Sequence, residues 1–230
     1  DVDHKTLSNI IQKNFAKWKQ SPIKEKNEAR AGKPRKGQKY ITMKDKTSSD
    51  LVYGIPLIIN EDHKDFLPLT VGTRALGGAF TARLMRKVRV EDGLTYGVYS
   101  SLTGTTNKSP GMWIAYGTYS PDLLKKGELS MEGVLNNWAE SGITKEELKR
   151  MKSTIVGSMQ VGYDTTGGLA RGILSAAINR GGVKYLDDYA STVDQVTLEQ
   201  VNIAIKEHIK MENVYKVAAG SIDKEGLPTK

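Results

Sequence analysis

The chain has 230 residues, of which 38% are hydrophobic and 26% charged, and its formal net charge is +8. This composition is typical of a soluble globular protein, and the length predicts one domain over residues 1–230 with a sizeable core. The absence of cysteine excludes disulfide bonds and thiolate metal sites, and no apolar run approaches the roughly 18 residues of a membrane-spanning helix.

The excess of positive charge is concentrated in residues 17–46, and the remainder of the chain is close to neutral. Because this stretch is rich in Lys, Pro and Gly and poor in apolar residues, we interpret it as a solvated connecting segment. Nucleic-acid binding is the alternative, but such surfaces usually interleave aromatic and basic side chains. Only Trp18 and Tyr40 flank the basic residues, so no nucleic-acid partner is predicted.

The first half of the chain predicts a helix, two strands and two further helices. In chain order these are a helix over 5–18, strands over 39–45 and 49–60, and helices over 62–78 and 79–92. The first helix carries its apolar residues on one stripe, and Pro56 indicates an edge or a bulge in the second strand. Gly77 and Gly78 end one helix, and Gly93 ends the next.

The second half predicts a strand pair, a block of helices and a closing strand. The predicted elements are strands over 94–103 and 111–119, a helix from Ser120–Pro121 to Gly142, a helix with a Thr144/Glu147 capping box, a small-residue helix within 165–182, a helix with a Thr197/Gln200 capping box, and a strand over 214–220. Hairpin-like strands with segregated helices favour an α+β fold over a doubly wound parallel sheet.

Taken alone, the residues carry no recognisable catalytic equipment. The three histidines are His4, His63 and His208, and none forms a metal pair at helical spacing, so each is interpreted as a surface or core residue. The chain has neither a G-x-S-x-G nucleophile motif nor the Lys-Ser/Thr of a phosphate-binding loop. No residue of this chain is therefore predicted to be catalytic, and none is predicted to bind a metal.

One stretch, however, resembles a known family. Residues 69–101 read LTVGTRALGGAFTARLMRKVRVEDGLTYGVYSS and contain Leu76-Gly77-Gly78, Ala82-x-Leu84 and the run from Arg89 to Tyr96, RVEDGLTY. These motifs resemble the C-terminal, zinc-free half of the pitrilysin/insulinase family of zinc peptidases, the inverzincins. That half typically shows Leu-Gly-Gly, then a small residue and Leu, then Arg-Glu-x-x-Gly-Leu-x-Tyr. The resemblance extends over nearly the whole chain, although Val90 interrupts the family's Arg-Glu pair.

The resemblance implies roles for Arg89 and Tyr96. In this family an Arg and a Tyr seven residues apart reach across a closed chamber toward the peptide substrate and the metal centre of the catalytic half. Two structural alternatives remain open. Strand alternation would place Tyr96 with Leu94 and Val98 on a core face, and Arg89 would be a helix C-terminal cation favoured by the helix dipole.

The family's zinc motif H-x-x-E-H is absent from this sequence, and Glu91 and Asp92 have no His placed to replace it. For the fold, the resemblance implies a two-layer α+β domain whose mainly antiparallel sheet has five or six strands, with helices largely on one face. The chain alone is expected to be inactive, with zinc in a partner domain or subunit of the same family and a peptide as substrate. An inactive scaffold subunit is the alternative. Bacterial relatives are often exported, which suits a chain without cysteine, so a periplasmic or otherwise exported location is expected.

Overall fold

The structure is a computed structural model that describes residues 2–19, 31–105 and 109–229. Part of the predicted basic connection, residues 20–30, and part of the predicted turn before residue 111 lie outside the described residues. The elements are α1 (His4–Phe15), β1 (Gly37–Thr42), β2 (Ser49–Pro56), α2 (Phe66–Gly77), a π-helix (Met85–Glu91), β3 (Gly97–Thr103), β4 (Met112–Tyr119), α3 (Leu124–Ser141), α4 (Lys145–Tyr163), α5 (Thr166–Asn179), α6 (Lys184–Gln195), α7 (Leu198–His208), a 3₁₀ turn (Met211–Asn213) and β5 (Tyr215–Gly220).

The five strands form one mixed sheet in the order β1-β5-β2-β4-β3. Strand β1 runs parallel to β5, with Gly37 opposite Tyr215, and the other three pairings are antiparallel. The predicted α+β class is confirmed, and the sheet has five of the five or six strands that the resemblance implied. β1 (Gly37–Thr42) overlaps the strand predicted over 39–45, so this part of the basic segment 17–46 is a strand and not a connection.

Pro56 illustrates how the sequence signal for a sheet edge needs the register to be interpreted. β2 is a central strand, which contradicts the simplest form of the edge prediction. However, its pairing with β5 ends at Gly54, whereas its pairing with β4 continues to Pro56 opposite Met112. Pro56 therefore occupies a local edge, where its missing N–H removes no bond to β5.

The helices pack on one face of the sheet and bury its alternate residues. Trp113 of β4 stacks on Trp138 of α3, with ring centroids 5.9 Å apart and planes at 10°. The Trp138 indole N–H donates to the carbonyl oxygen of Gly72 in α2 over 3.1 Å. Since a Cβ at Gly72 would lie 2.8 Å from Ile205, this glycine lets α2 and α7 approach closely.

The predicted capping boxes mark the starts of two helices correctly, whereas the predicted start of a third is shifted. Both predicted capping boxes are present, with Thr144 and Glu147 opening α4 and with Thr197 and Gln200 opening α7. Helix α3 begins at Leu124 and not at Pro121, because the Ser120–Leu123 segment forms a separate turn closed by the N–H of Leu123.

None of the described residues of α1 is buried. Among the described residues, no helix is both long and apolar enough to cross a membrane.

Candidate functional site

Arg89 lies on a π-helical segment that follows α2. The sequence predicted a regular helix over 79–92, but residues Met85–Glu91 have π-helical hydrogen bonding, and the N–H of Asp92 donates to the carbonyl of Lys87. π-Helical turns are rare and are frequently found at functional sites. The Arg89 guanidinium lies over the Phe80 ring, 5.2 Å from its centroid, and forms no ion pair with any described residue. The ring holds the cation in place and leaves its hydrogen-bond donors available.

Tyr96 stands immediately before β3 and is 92% exposed. The structure thus contradicts the alternative in which strand alternation placed Tyr96 in the core. β3 begins at Gly97, and Thr95 is the residue that turns inward, where its hydroxyl bonds the carbonyl oxygen of Thr118. No described residue hydrogen-bonds or stacks on the Tyr96 ring or hydroxyl, so both are free to meet another molecule.

Neighbours of both residues line one groove. Phe80, which lies under Arg89, and Gly97, which follows Tyr96, both line a cavity of about 600 Å³ between the end of α2 and β3. The groove wall is mainly apolar and includes Arg74 but no Asp or Glu among the described residues. Apolar surface and unpaired cations with no opposing carboxylate suit an acidic or carbonyl-bearing ligand.

The carboxylates near Arg89 serve to fix the segment. Asp92 accepts from the Lys87 ammonium at 2.8 Å and from the Ser130 hydroxyl of α3 at 2.6 Å. These two hydrogen bonds, the one from Lys87 first, lower the pKa of Asp92. Glu91 lies 3.5 Å from Lys87 and 3.6 Å from Arg86. The pair Glu91 and Asp92 therefore anchors the π-helical segment.

The structure also brings together three side chains that sequence reasoning treated separately. His63 and Asp65 precede α2, and His208 ends α7. The Nε2 atom of His208 is 2.9 Å from Oδ2 of Asp65, and Nδ1 of His63 is 3.8 Å from the same oxygen. Among the described residues this is a His and carboxylate group whose ligand atoms all lie within 4.8 Å of one another. The only sequence signal was the EDHKD run at 61–65, because His208 is 145 residues from His63.

The chain is similar in sequence to proteins of a known family. A family model described as the peptidase M16 inactive domain matches residues 1–155 of the chain. The uncharacterized zinc protease YmxG of Bacillus subtilis is 29% identical over 140 residues, which are 61% of this chain and 34% of that protein. The non-peptidase homolog YmxG of Helicobacter pylori is 24% identical over 184 residues, 78% of this chain and 41% of that protein. The chain thus spans less than half the length of either relative.

The fold is shared with a solved structure. The crystal structure of a peptidase M16 inactive domain from Pseudomonas fluorescens matches with a TM-score of 0.77 at 23% identity, over 100% of this chain and 53% of that chain. The family model covers more than half of the present chain, and the sheet and helices agree with that inactive domain. By sequence and by fold, the chain belongs to the peptidase M16 inactive-domain family of the zinc proteases.

Proposed function

We propose that this chain is the substrate-binding, zinc-free half of a zinc metallopeptidase and that Arg89 and Tyr96 contact the peptide. A domain that carries H-x-x-E-H, in the same parent chain or in a separate subunit, completes the chamber and holds the zinc. Family membership supports the pairing, since inactive M16 domains occur in zinc proteases alongside catalytic ones. The observation that carries the assignment of residues is the 92% exposure of Tyr96 beside a groove.

The chemistry of the two side chains fits complementary roles. The Arg89 guanidinium presents a planar set of donors that matches a carboxylate or a peptide carbonyl. The Tyr96 hydroxyl can donate to a carbonyl oxygen whose negative charge grows in the transition state. Zinc bound in the partner domain would supply the activated water for hydrolysis. Because the partner domain would hold the catalytic zinc, this chain would need no H-x-x-E-H motif for peptide hydrolysis.

Replacing Tyr96 by Phe removes one hydroxyl from an exposed residue and leaves the fold untouched. In the complex with the H-x-x-E-H domain, Tyr96→Phe should lower kcat for peptide cleavage about 100-fold, as expected for loss of one oxyanion donor. Arg89→Ala should lower kcat/KM by about tenfold or more, because a charged hydrogen bond to the substrate is lost. Steady-state kinetics on a fluorogenic peptide, with complex formation verified by gel filtration, measures both effects.

The chain offers a matched control pair toward the other edge of the sheet from β3. Arg35 lies over the Tyr215 ring at 5.2 Å, which repeats the arrangement of Arg89 over Phe80, and Tyr215 belongs to β5. Arg35→Ala and Tyr215→Phe should leave cleavage unchanged. Equal losses in the control pair, or an unchanged rate in Tyr96→Phe within an intact complex, would remove the proposed roles.

An inactive scaffold subunit is the second candidate function. The match to a protein named a non-peptidase homolog, over 78% of this chain, favours it specifically. In that case the chain would form a stable complex with its zinc-domain partner or with a larger assembly, and the complex would cleave no peptide.

The exported location expected from the sequence stays a prediction. Fractionation of the source cells, with an antibody to this chain as the probe, would test it.

A further inference from the structure

We propose that His63, Asp65 and His208 form a binding site for a divalent transition-metal ion such as Zn²⁺, which would tie the start of α2 to the end of α7. Two imidazoles and one carboxylate are a donor set that suits Zn²⁺, Co²⁺ or Ni²⁺, whereas Mg²⁺ and Ca²⁺ prefer oxygen ligands alone. None of the three residues lines the substrate groove, and the proposal does not depend on the proposed peptidase role.

The spacing of the donor atoms fits a tetrahedral ion. Zinc ligands at about 2.1 Å from the metal stand roughly 3.4 Å from one another. The two separations measured to Oδ2 of Asp65, 2.9 Å from His208 Nε2 and 3.8 Å from His63 Nδ1, lie on either side of this value. The two imidazole rings meet edge to face with centroids 5.7 Å apart, and the ligand atoms of the three residues all lie within 4.8 Å of one another.

The local hydrogen bonds involve the same atoms that would bind the ion. Nδ1 of His63 accepts the backbone N–H of Asp65 at 3.1 Å, and the ion would replace this hydrogen bond. Asp65 is the N-cap residue of α2, yet its side chain makes no capping hydrogen bond. An N-cap Asp ordinarily accepts from the first turn of its helix. Here the carboxylate is hydrogen-bonded to Nε2 of His208 at 2.9 Å instead, and a bound ion would take the place of that hydrogen bond.

The surroundings leave room for an ion and for a fourth ligand. The side chains of His63, Asp65 and His208 are 37%, 16% and 22% exposed, so the site is open to solvent on the His63 side. Oε2 of Glu207 is 4.0 Å from Nε2 of His208, but Glu207 does not belong to the group of converging donors, so water is the expected fourth ligand. Glu61 in the same loop is paired with Arg180 at 3.0 Å and is therefore committed elsewhere.

Metal binding to the isolated chain provides the test. After treatment with EDTA, calorimetric titration with Zn²⁺ should show one site, and Zn²⁺ should raise the Tm, because an ion that binds only the folded state stabilises it. Co²⁺ should give the absorption bands of a tetrahedral site. Mg²⁺ should neither bind in the titration nor raise the Tm. His208→Gln and His63→Gln should each weaken Zn²⁺ binding at least tenfold. The exposed His4, on α1, supplies the matched control His4→Gln, which should bind as the parent does.

The outcomes separate the metal site from a simple ion pair. If Zn²⁺ neither binds at millimolar concentration nor raises the Tm, Asp65 and His208 form only an ion pair and the proposal fails. Equal binding in His208→Gln and His63→Gln, or loss of binding in His4→Gln, would mean an adventitious ion and would also overturn it. Circular dichroism of each metal-free variant checks its fold, and the half-exposed His63 is the substitution least able to disturb packing.

Discussion

At the scale of single residues, Gly77 shows how a small side chain shapes the candidate site. A Cβ at this position would lie 2.4 Å from the backbone nitrogen of Ser100 and 2.8 Å from the carbonyl carbon of Tyr99. The end of α2 therefore lies directly against the backbone of β3, where Ser100 also donates its hydroxyl to the Thr73 carbonyl over 2.8 Å. This close contact gives a physical reason for the Leu-Gly-Gly motif and forms one wall of the groove.

Adding a single methyl group at Gly77 tests this contact. Gly77→Ala should lower the free energy of unfolding by about 1–3 kcal/mol, because neither the strand backbone nor the helix can move aside cheaply. Gly157 in α4 is a helical glycine with no atom near its Cβ position. Gly157→Ala should instead raise stability by up to about 1 kcal/mol through helix propensity. Urea unfolding of both variants measures the contrast, and two changes of the same sign would contradict the packing argument.

Tyr96 shows where residue patterns stop being informative. An alternating run of apolar and polar residues predicts which side chains share a face only after the first strand residue is known. The sequence placed that start at Leu94, whereas pairing with β4 begins at Gly97 opposite Thr118. Three residues of error turned an exposed tyrosine into a possible core residue. The family resemblance identified the pair Arg89 and Tyr96, which no periodicity could distinguish.

At the scale of elements, one carboxylate joins the start of α4 to the segment that leads into the π-helix. Glu147 completes the α4 capping box by accepting from the Thr144 N–H at 2.8 Å. It also accepts two hydrogen bonds from the Arg83 guanidinium, at 2.7 and 2.6 Å. Both side chains of the ion pair are largely buried, at 15% and 12% exposure. The capping box was visible in the sequence, but its link to Arg83 was not.

Removing the cation alone should therefore be costly. Arg83→Met leaves the Glu147 carboxylate partly buried without its ion partner, and we expect the free energy of unfolding to fall by about 1–3 kcal/mol or more. Adding Glu147→Gln should recover part of the loss, because Gln also serves at the third helix position of a capping box and carries no charge. Chemical denaturation of the single and double variants provides the measurement. A double variant less stable than Arg83→Met would contradict this account.

At the scale of the whole molecule, stability should depend on carboxylates that are ionised in the folded state. Burial alone would raise the pKa of Glu128, but hydrogen bonds from Lys216, Tyr40 and Lys125 outweigh it and lower that pKa. Burial would likewise raise the pKa of Glu147, but the hydrogen bond from Arg83 outweighs it, and the pKa of Glu147 is lowered too. Glu61 acts in the opposite direction, because burial raises its pKa.

The sign of the pH dependence follows. A carboxyl whose folded pKa is lowered contributes stability that is complete above its unfolded value of 4.5 and is lost as the pH falls through the folded pKa. The free energy of unfolding should therefore decrease below about pH 5, by up to ~1.4 kcal/mol per pH unit for each extra proton taken up by the unfolded chain. Guanidinium titrations between pH 3 and 7 measure this slope. Glu147→Gln should reduce it, and an unchanged slope would mean that other groups dominate.

Long-range pairings mark the limit of sequence-based prediction for this chain. Most of the helices, the strand pair β3 and β4 and both capping boxes depend on neighbouring residues and could be predicted, whereas helix α6 and the π-helical bonding of Met85–Glu91 were not. The parallel pairing of β1 with β5 and the meeting of His63 with His208 join residues more than 140 positions apart. No local pattern encodes which distant segments meet, so these features required the folded structure.

The insertion of β5 between β1 and β2 also governs the order in which the protein can be completed during its synthesis. Of the five strands, β5 is the last to leave the ribosome, yet it occupies an inner position in the sheet. Until Tyr215–Gly220 has emerged, β1 has no partner and β2 presents one open side to other chains. Nascent molecules would thus pass through a period in which two strands are open to pairing between chains, and folding can finish only after the last strand is available.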